Sequence, residues 1–169
     1  MTILSSLSNT FYQLQKMNIS HRDIKPQNIL TFSNNNLLFK LADFGEAKEL
    51  LKGVSNKQTL RGTELYMAPI LFQALRNKKI MKYVNHNPYK SDVFSFGLCA
   101  LFAATLSFDS IYEIRELDNN VSIRAVLERY MRKKYSFDVI NIISKMLDIN
   151  ETTRMDFIEL QENFKSIGY

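Results

Sequence analysis

The chain has 169 residues, 46% of them apolar and 23% charged, which is enough for one domain with a real core and excludes a disordered or fibrous polymer. Its net charge of +5 is spread without a dense basic run, so no nucleic-acid or membrane partner is expected, and the longest apolar stretch, 94–106, is shorter than the ~20 residues of a spanning helix. The single cysteine, Cys99, rules out an internal disulfide and, with no basic secretory start in the first residues, predicts a cytoplasmic or nuclear protein.

Leu4, Leu7, Phe11, Leu14 and Met17 recur at helical intervals and predict one core-facing helix that starts almost at the first residue. Asn18-Ile19-Ser20 closes it. The next stretch, His21-Arg22-Asp23-Ile24-Lys25-Pro26-Gln27-Asn28, sets an acid, a base and an amide within six positions. It runs straight into the strand-like Ile29-Leu30-Thr31-Phe32. Ser33-Asn34-Asn35-Asn36 then reads as a hairpin turn, because asparagine tolerates positive φ, and 37–41 as the returning strand. Asp43-Phe44-Gly45 follows at once. A hairpin brings its two ends together, so Asp23, Asn28 and Asp43 are expected to converge on one point.

Residues 46–63 are polar and predict a long loop with a helical turn at 46–51. Rigid backbone is expected again at Gly62-Thr63 and 65–70. Leu71, Phe72, Leu75 and Ile80 predict a short helix, and 77–89 a basic loop. Asp92 precedes Val93, Phe94, Phe96, Leu98, Cys99, Leu101 and Phe102, a helix apolar on nearly every side and therefore buried all round. Residues 110–120 read as a charged loop or short helix. Three amphipathic helices complete the chain. They are carried by Ile123, Val126, Leu127 and Tyr130; by Phe137, Ile140, Ile143, Met146 and Leu147; and by Phe157, Leu160 and Phe164, the last capped by Thr152 or Thr153. With no repeat or linker, the expected architecture is one mainly α domain over 1–169, with a small β-hairpin carrying the site.

Asp-Phe-Gly alone arises often by chance. His-Arg-Asp-x-Lys-x-x-Asn does not, and here Gly62-Thr63, Ala68-Pro69 and Asp92-x-x-Ser95-x-Gly97 follow in order. Together they resemble the C-terminal lobe of eukaryotic protein kinases, and Lys25, two residues after Asp23, resembles the serine/threonine branch. The resemblance implies an α+β family fold and transfer of the γ-phosphate of ATP to Ser or Thr hydroxyls of a protein substrate, with Mg2+. It implies that Asp23 orients or accepts the hydroxyl proton and that Lys25 offsets charge on the transferred phosphate. Asn28 and Asp43 would bind the metal through oxygen. Leu30 would floor the adenine pocket, with Ala42 at its back.

Further roles come with the same resemblance. His21, Phe44 and Gly45 link and shape the two loops, Thr63 bonds Asp23 and Lys25, and Asp92 anchors the catalytic loop. The plain alternative for Asp92 is an N-cap. Arg22 would pair with a phosphate placed by an upstream kinase on Ser55 or Thr59, which are equally readable as ordinary loop hydroxyls.

Three departures stand beside these matches. Gly45 is the first glycine, so no glycine-rich loop precedes the catalytic loop, and the strand lysine and its glutamate partner are absent, as expected if the N-terminal lobe is missing. Ile70 stands where the family has a glutamate paired with a buried arginine, here Arg154, which is therefore expected to find Asp148, Glu151 or Glu64, or partial solvation. The stretch 77–89 is longer than usual. From these follow weak or absent catalysis by the 169 residues alone, an exposed apolar face beside the hairpin, and a competing reading as a non-enzymatic kinase-like binding or scaffold module.

Overall fold

In the computed structural model, residues 2–34, 36–50, 57–77 and 83–166 are described. The first helix, α1 (Thr2–Lys16), buries Leu4, Leu7 and Phe11. It stops because Asn18 takes a left-handed φ of 59°, a conformation asparagine tolerates at helix ends. Met17 therefore falls beyond the helix and is 61% exposed, not core.

A two-residue strand, β1 (Ile19–Ser20), precedes the catalytic-type loop. The hairpin strands are β2 (Ile29–Asn34) and β3 (Asn36–Leu41), antiparallel with Ile29 opposite Leu41. One face, with Ile29, Phe39 and Leu41, packs on the core, while Leu30, Phe32 and Leu38 face outward and are exposed. The expected helical turn at 46–51 is a strand instead. Lys48–Glu49 (β4) pairs antiparallel with β1, and Leu50 N donates to Asn18 O at 2.7 Å. The ladder satisfies backbone groups that an isolated turn would leave to water, and residue 51 lies outside the described residues.

The polar loop also contains a strand. Lys57–Thr59 (β5) pairs with Tyr83–Asn85 (β6), which lies in the stretch expected to be a loop. Between them lies α2 (Pro69–Arg76), with Leu71 buried; Ile80 lies outside the described residues.

The centre of the molecule is α3 (Pro88–Thr105). Asn87 caps it by accepting from Tyr89 N and Lys90 N at 3.0 and 3.2 Å, so Asp92 lies inside the helix and is not its cap. Every residue from 91 to 101 is buried. Gly97 is required there, since a Cβ would fall 2.9 Å from Leu147 Cδ2.

Around α3 pack α4 (Asp109–Arg115), α5 (Asn120–Met131), α6 (Phe137–Met146) and α7 (Phe157–Ser166). Phe137 opens α6 at 65% exposure under the Arg124 guanidinium, and the buried stripe begins at Val139 and Ile140. The cap of α7 is Asp156, not a threonine. Its Oδ1 accepts from Ile158 N and Glu159 N, while Glu159 Oε2 accepts from Asp156 N, a reciprocal capping box. Thr152 and Thr153 bond to Asn150 and Asp148 in the preceding turn. Phe11 stacks on Phe157 at 4.6 Å, tying α1 to α7. No helix of the described residues is long and apolar enough to cross a membrane.

Candidate active site

The loop between β1 and β2 is held from below by α3. Asp92, 4% exposed, accepts three hydrogen bonds: from Ser20 Oγ at 2.7 Å, His21 N at 2.7 Å and Arg22 N at 2.9 Å. Burial pushes the Asp92 carboxyl up, and these donors oppose that push. Ser20 carries no motif signal, and only its adjacency to His21 hinted at a role. Arg22 then adopts a left-handed φ of 70°, which turns the chain just before Asp23.

Asp23 sits between two side chains, those of Lys25 and Thr63. Lys25 Nζ lies 2.7 Å from its Oδ2, Thr63 Oγ1 donates to its Oδ1 at 2.7 Å, and Lys25 Nζ also reaches Thr63 Oγ1 at 3.2 Å. Burial raises the Asp23 carboxyl, but the hydrogen bond and charge of Lys25, with the Thr63 bonds, outweigh it and hold it below the usual carboxylate range. It is ionised at neutral pH. Asn28 closes a short 3-10 turn, Pro26–Asn28, and its Nδ2 donates to Asp23 O at 2.8 Å.

The hairpin joins this cluster to the second loop. Ala42 N donates to Asn28 O at 2.8 Å, and His21 Nε2 donates to Ala42 O at 3.0 Å. Asp43, next in sequence, has φ 58°. Its carboxylate is exposed, with Oδ1 accepting from Gly45 N at 3.3 Å. The Phe44 ring meets His21 edge-on at 5.0 Å. Asp23 and Asn28 are thus in direct contact, and the Asp43 backbone is one residue from Asn28's own partner. The Leu30 side chain, 43% exposed, lies on the outer hairpin face.

The Thr63 side is built around Gly62. Its φ is 111°, and a Cβ there would lie 2.9 Å from Arg22 O, so only glycine fits. Arg22 Nη2 reaches Thr59 Oγ1 at 2.5 Å and Thr59 O at 3.1 Å. Burial lowers the Arg22 pKa, with Glu46 opposing. Ser55 lies outside the described residues. Arg154, far below the site, meets none of the expected carboxylates. Its Nε, Nη1 and Nη2 donate to Asp148 O, Lys90 O and Ile149 O, and it stacks 4.9 Å from the Phe94 centroid. Glu151 is engaged instead by Asn87 N, and Ile70 packs with Met67, Leu71 and Val84.

His86, buried behind Arg22, pairs through Nδ1 with Ser91 Oγ at 2.8 Å. Burial lowers its pKa to about 4, and Arg22 and Arg154 add to the effect. Above the ordinary value near 6.5 the ring is neutral in both the folded and the unfolded chain. As pH falls from there toward 4, only the unfolded chain takes up the proton, so stability is lost across that window, by at most about 3 kcal/mol. Urea unfolding at pH 7 and pH 4.5 should show this loss, and His86→Gln should flatten the dependence; equal slopes for both proteins would contradict the assignment.

Comparison with known proteins agrees with these elements. A family model described as "Protein kinase domain" matches residues 1–164. The chain is 30% identical over 155 residues to the serine/threonine-protein kinase cds1 of Schizosaccharomyces pombe, covering 90% of this chain and 32% of that protein. It is 31% identical over 166 residues to a probable serine/threonine-protein kinase nek3 of Dictyostelium discoideum, covering 94% and 13% respectively. Human serine/threonine-protein kinase ULK3 is 31% identical over 162 residues, 91% of this chain and 30% of that protein. The chain spans about a third or less of the length of these relatives.

Proposed function

The chain belongs to the protein kinase family, and from that membership we propose that it is the C-terminal lobe of a serine/threonine protein kinase domain that moves the γ-phosphate of ATP to a Ser or Thr hydroxyl of a protein. The observation that carries the reading is Asp23, whose carboxylate is held at both oxygens, by Lys25 at 2.7 Å and by Thr63 at 2.7 Å. A substrate hydroxyl presented to that carboxylate is oriented for attack on the γ-phosphorus and gives the carboxylate its proton as the new P–O bond forms, while the bond from that phosphorus to the oxygen bridging to the β-phosphate breaks and ADP leaves with the electron pair. Lys25, an ammonium beside the same oxygen, is placed to offset the charge on the phosphate's equatorial oxygens. Because Asp23 is a weak base, its first task is alignment, and proton transfer comes late.

The donor set suits a hard divalent cation. Asn28 uses its amide nitrogen on Asp23 O, which leaves its oxygen available, and the Asp43 carboxylate is exposed at the neighbouring hairpin end. Among the described residues no group of three His, Cys, Asp or Glu could hold a metal ion. Asn28 and Asp43 are the residues that would hold a divalent ion, which would supply charge neutralisation to the phosphates. Leu30 would meet the adenine ring from below. Thr59 is the proposed phosphoacceptor for an upstream kinase, since its hydroxyl already lies against the Arg22 fork. A reducing, cytoplasmic or nuclear compartment fits the lone, buried Cys99.

Titration of Mg·ATP into the isotope-labelled chain tests the reading. Amide shifts should cluster at Asn28, Asp43 and Gly45, vanish with EDTA, and weaken roughly tenfold or more in Asp43→Asn. Shifts elsewhere, or indifference to magnesium and to Asp43, would favour the scaffold reading instead.

A further inference from the structure

One holder of the segment that carries Thr63 stands outside the site. Gly62 and Thr63 lead into a short 3-10 turn, Glu64–Tyr66, in which Tyr66 N donates to Thr63 O at 2.9 Å and Met67 N to Glu64 O at 3.3 Å. Two successive carbonyls at the end of that turn are gripped from neighbouring helices. Ser95 Oγ of α3 donates to Tyr66 O at 2.7 Å, and Arg115 Nη1, at the end of α4, donates to Met67 O at 2.5 Å. The Met67 side chain also lies beside Gly62, where a Cβ would stand 3.8 Å from its Cγ. The other buried arginine, Arg154, gives this segment nothing, since its donors go to Asp148 O, Lys90 O and Ile149 O.

Arg115 is a poor choice for stability alone. Its Cζ lies 3.9 Å from the centroid of the Phe72 ring, and its Nε and Nη2 are buried with no hydrogen-bond partner among the described residues. Burial lowers its pKa to about 10, with Glu64 and Glu116 opposing, so the group is a cation at neutral pH. A buried cation with so few partners often contributes no net stability, and an apolar side chain of the same length would pack there without leaving donors unpaired. What the arginine adds over such a side chain is its bond to Met67 O, a fixed point at the far end of the turn that Thr63 begins.

We propose that Arg115 is a positioning residue for the site at Asp23: by fixing Met67 O it holds the turn that starts at Thr63, and so keeps the Thr63 hydroxyl on the Asp23 carboxylate. Thr63 Oγ1 donates to Asp23 Oδ1 at 2.7 Å while that turn keeps its place. A turn free to slide at its far end would let the hydroxyl leave, and Lys25 would lose its own contact with Thr63 Oγ1. The catalytic meaning of this support rests on Asp23 being the phosphoryl-transfer carboxylate; whether Arg115 holds Thr63 does not.

Arg115→Met in the whole isotope-labelled chain keeps an unbranched side chain and removes the donor. Urea unfolding reads the fold, amide exchange at Tyr66 and Met67 reads the turn, and the three-bond couplings of the Thr63 γ-methyl carbon read its χ1 rotamer. The urea midpoint is expected to stay within about 0.5 M of wild type or to rise above it. Exchange at Tyr66 and Met67 should quicken roughly tenfold, the loss of about one hydrogen bond. The Thr63 couplings should pass from those of a single rotamer to an average. A midpoint lowered further than that, or a variant that does not fold, would make Arg115 a support of the core and overturn the proposal. So would Thr63 couplings left at their wild-type values, or exchange at Tyr66 and Met67 that quickens no more than in α7. None of these readings needs ATP or turnover, so a failure here leaves the Mg·ATP titration to decide the kinase reading by itself.

Discussion

Replacing Asp92 with alanine is expected to lower the unfolding free energy by about 3–5 kcal/mol, the cost of removing one partner from a buried charged network. Three donors lose their acceptor together: Ser20 Oγ, His21 N and Arg22 N. Ser20 Oγ and His21 N have no route to water, since Ser20 and His21 are as buried as Asp92 itself, while Arg22 is half-buried. The damage should also be local. Arg22 is held at φ 70° with Asp92 as the acceptor for its N–H, and without that bond the loop has less reason to keep its left-handed turn. Urea unfolding gives the global loss, and amide exchange at His21 and Arg22 gives the local one. A loss under about 1 kcal/mol, the size of one ordinary hydrogen bond, would mean that the loop is anchored by something else.

Arg154→Ala should be comparably damaging, by about 3–5 kcal/mol, through a different route. Arg154 is the largest of the fully buried side chains, at 1% exposure. Its removal strips donors from three carbonyls and opens a void against Phe94. Burial lowers its pKa to about 10, so the charge persists at neutral pH and is solvated by carbonyl dipoles and a ring face. Arg154→Lys should recover only part of the loss, because an ammonium cannot reach three carbonyls in one plane. Thermal and urea unfolding of both variants measure the difference; a lysine variant as stable as wild type would show that charge alone suffices.

These two residues also mark where sequence reasoning succeeded and where it stopped. A continuous apolar run placed the buried α3, and periodicity placed the apolar stripes of α1, α5, α6 and α7, because one-sided burial leaves a repeating trace. The hairpin was legible from its asparagine-rich turn, and with it the proximity of Asn28 to the backbone leading into Asp43. What left no trace was pairing between distant segments. The two-residue strands β1 and β4 are too short to alternate, and β5 with β6 lies in stretches that read as polar loops. The partners of Arg154 were missed for a related reason: a search for carboxylates cannot see backbone carbonyls, which every residue carries. The expected α7 cap differs from the observed one because Asp156 and Glu159 form the capping box, with Asp156 three and four residues after the two threonines.

The backbone at positions 22 and 43 carries one more consequence. Both residues occupy the left-handed region without being glycine, at about 1 kcal/mol or more of strain each. A selection for thermal resistance alone would therefore drift toward glycine at both places, and would reward the loss of the guanidinium that meets Thr59 and of the carboxylate at the hairpin's end. Durability and the proposed roles of these two side chains pull in opposite directions at this pair of positions, so the sturdiest descendant of this loop is one that has given both side chains up.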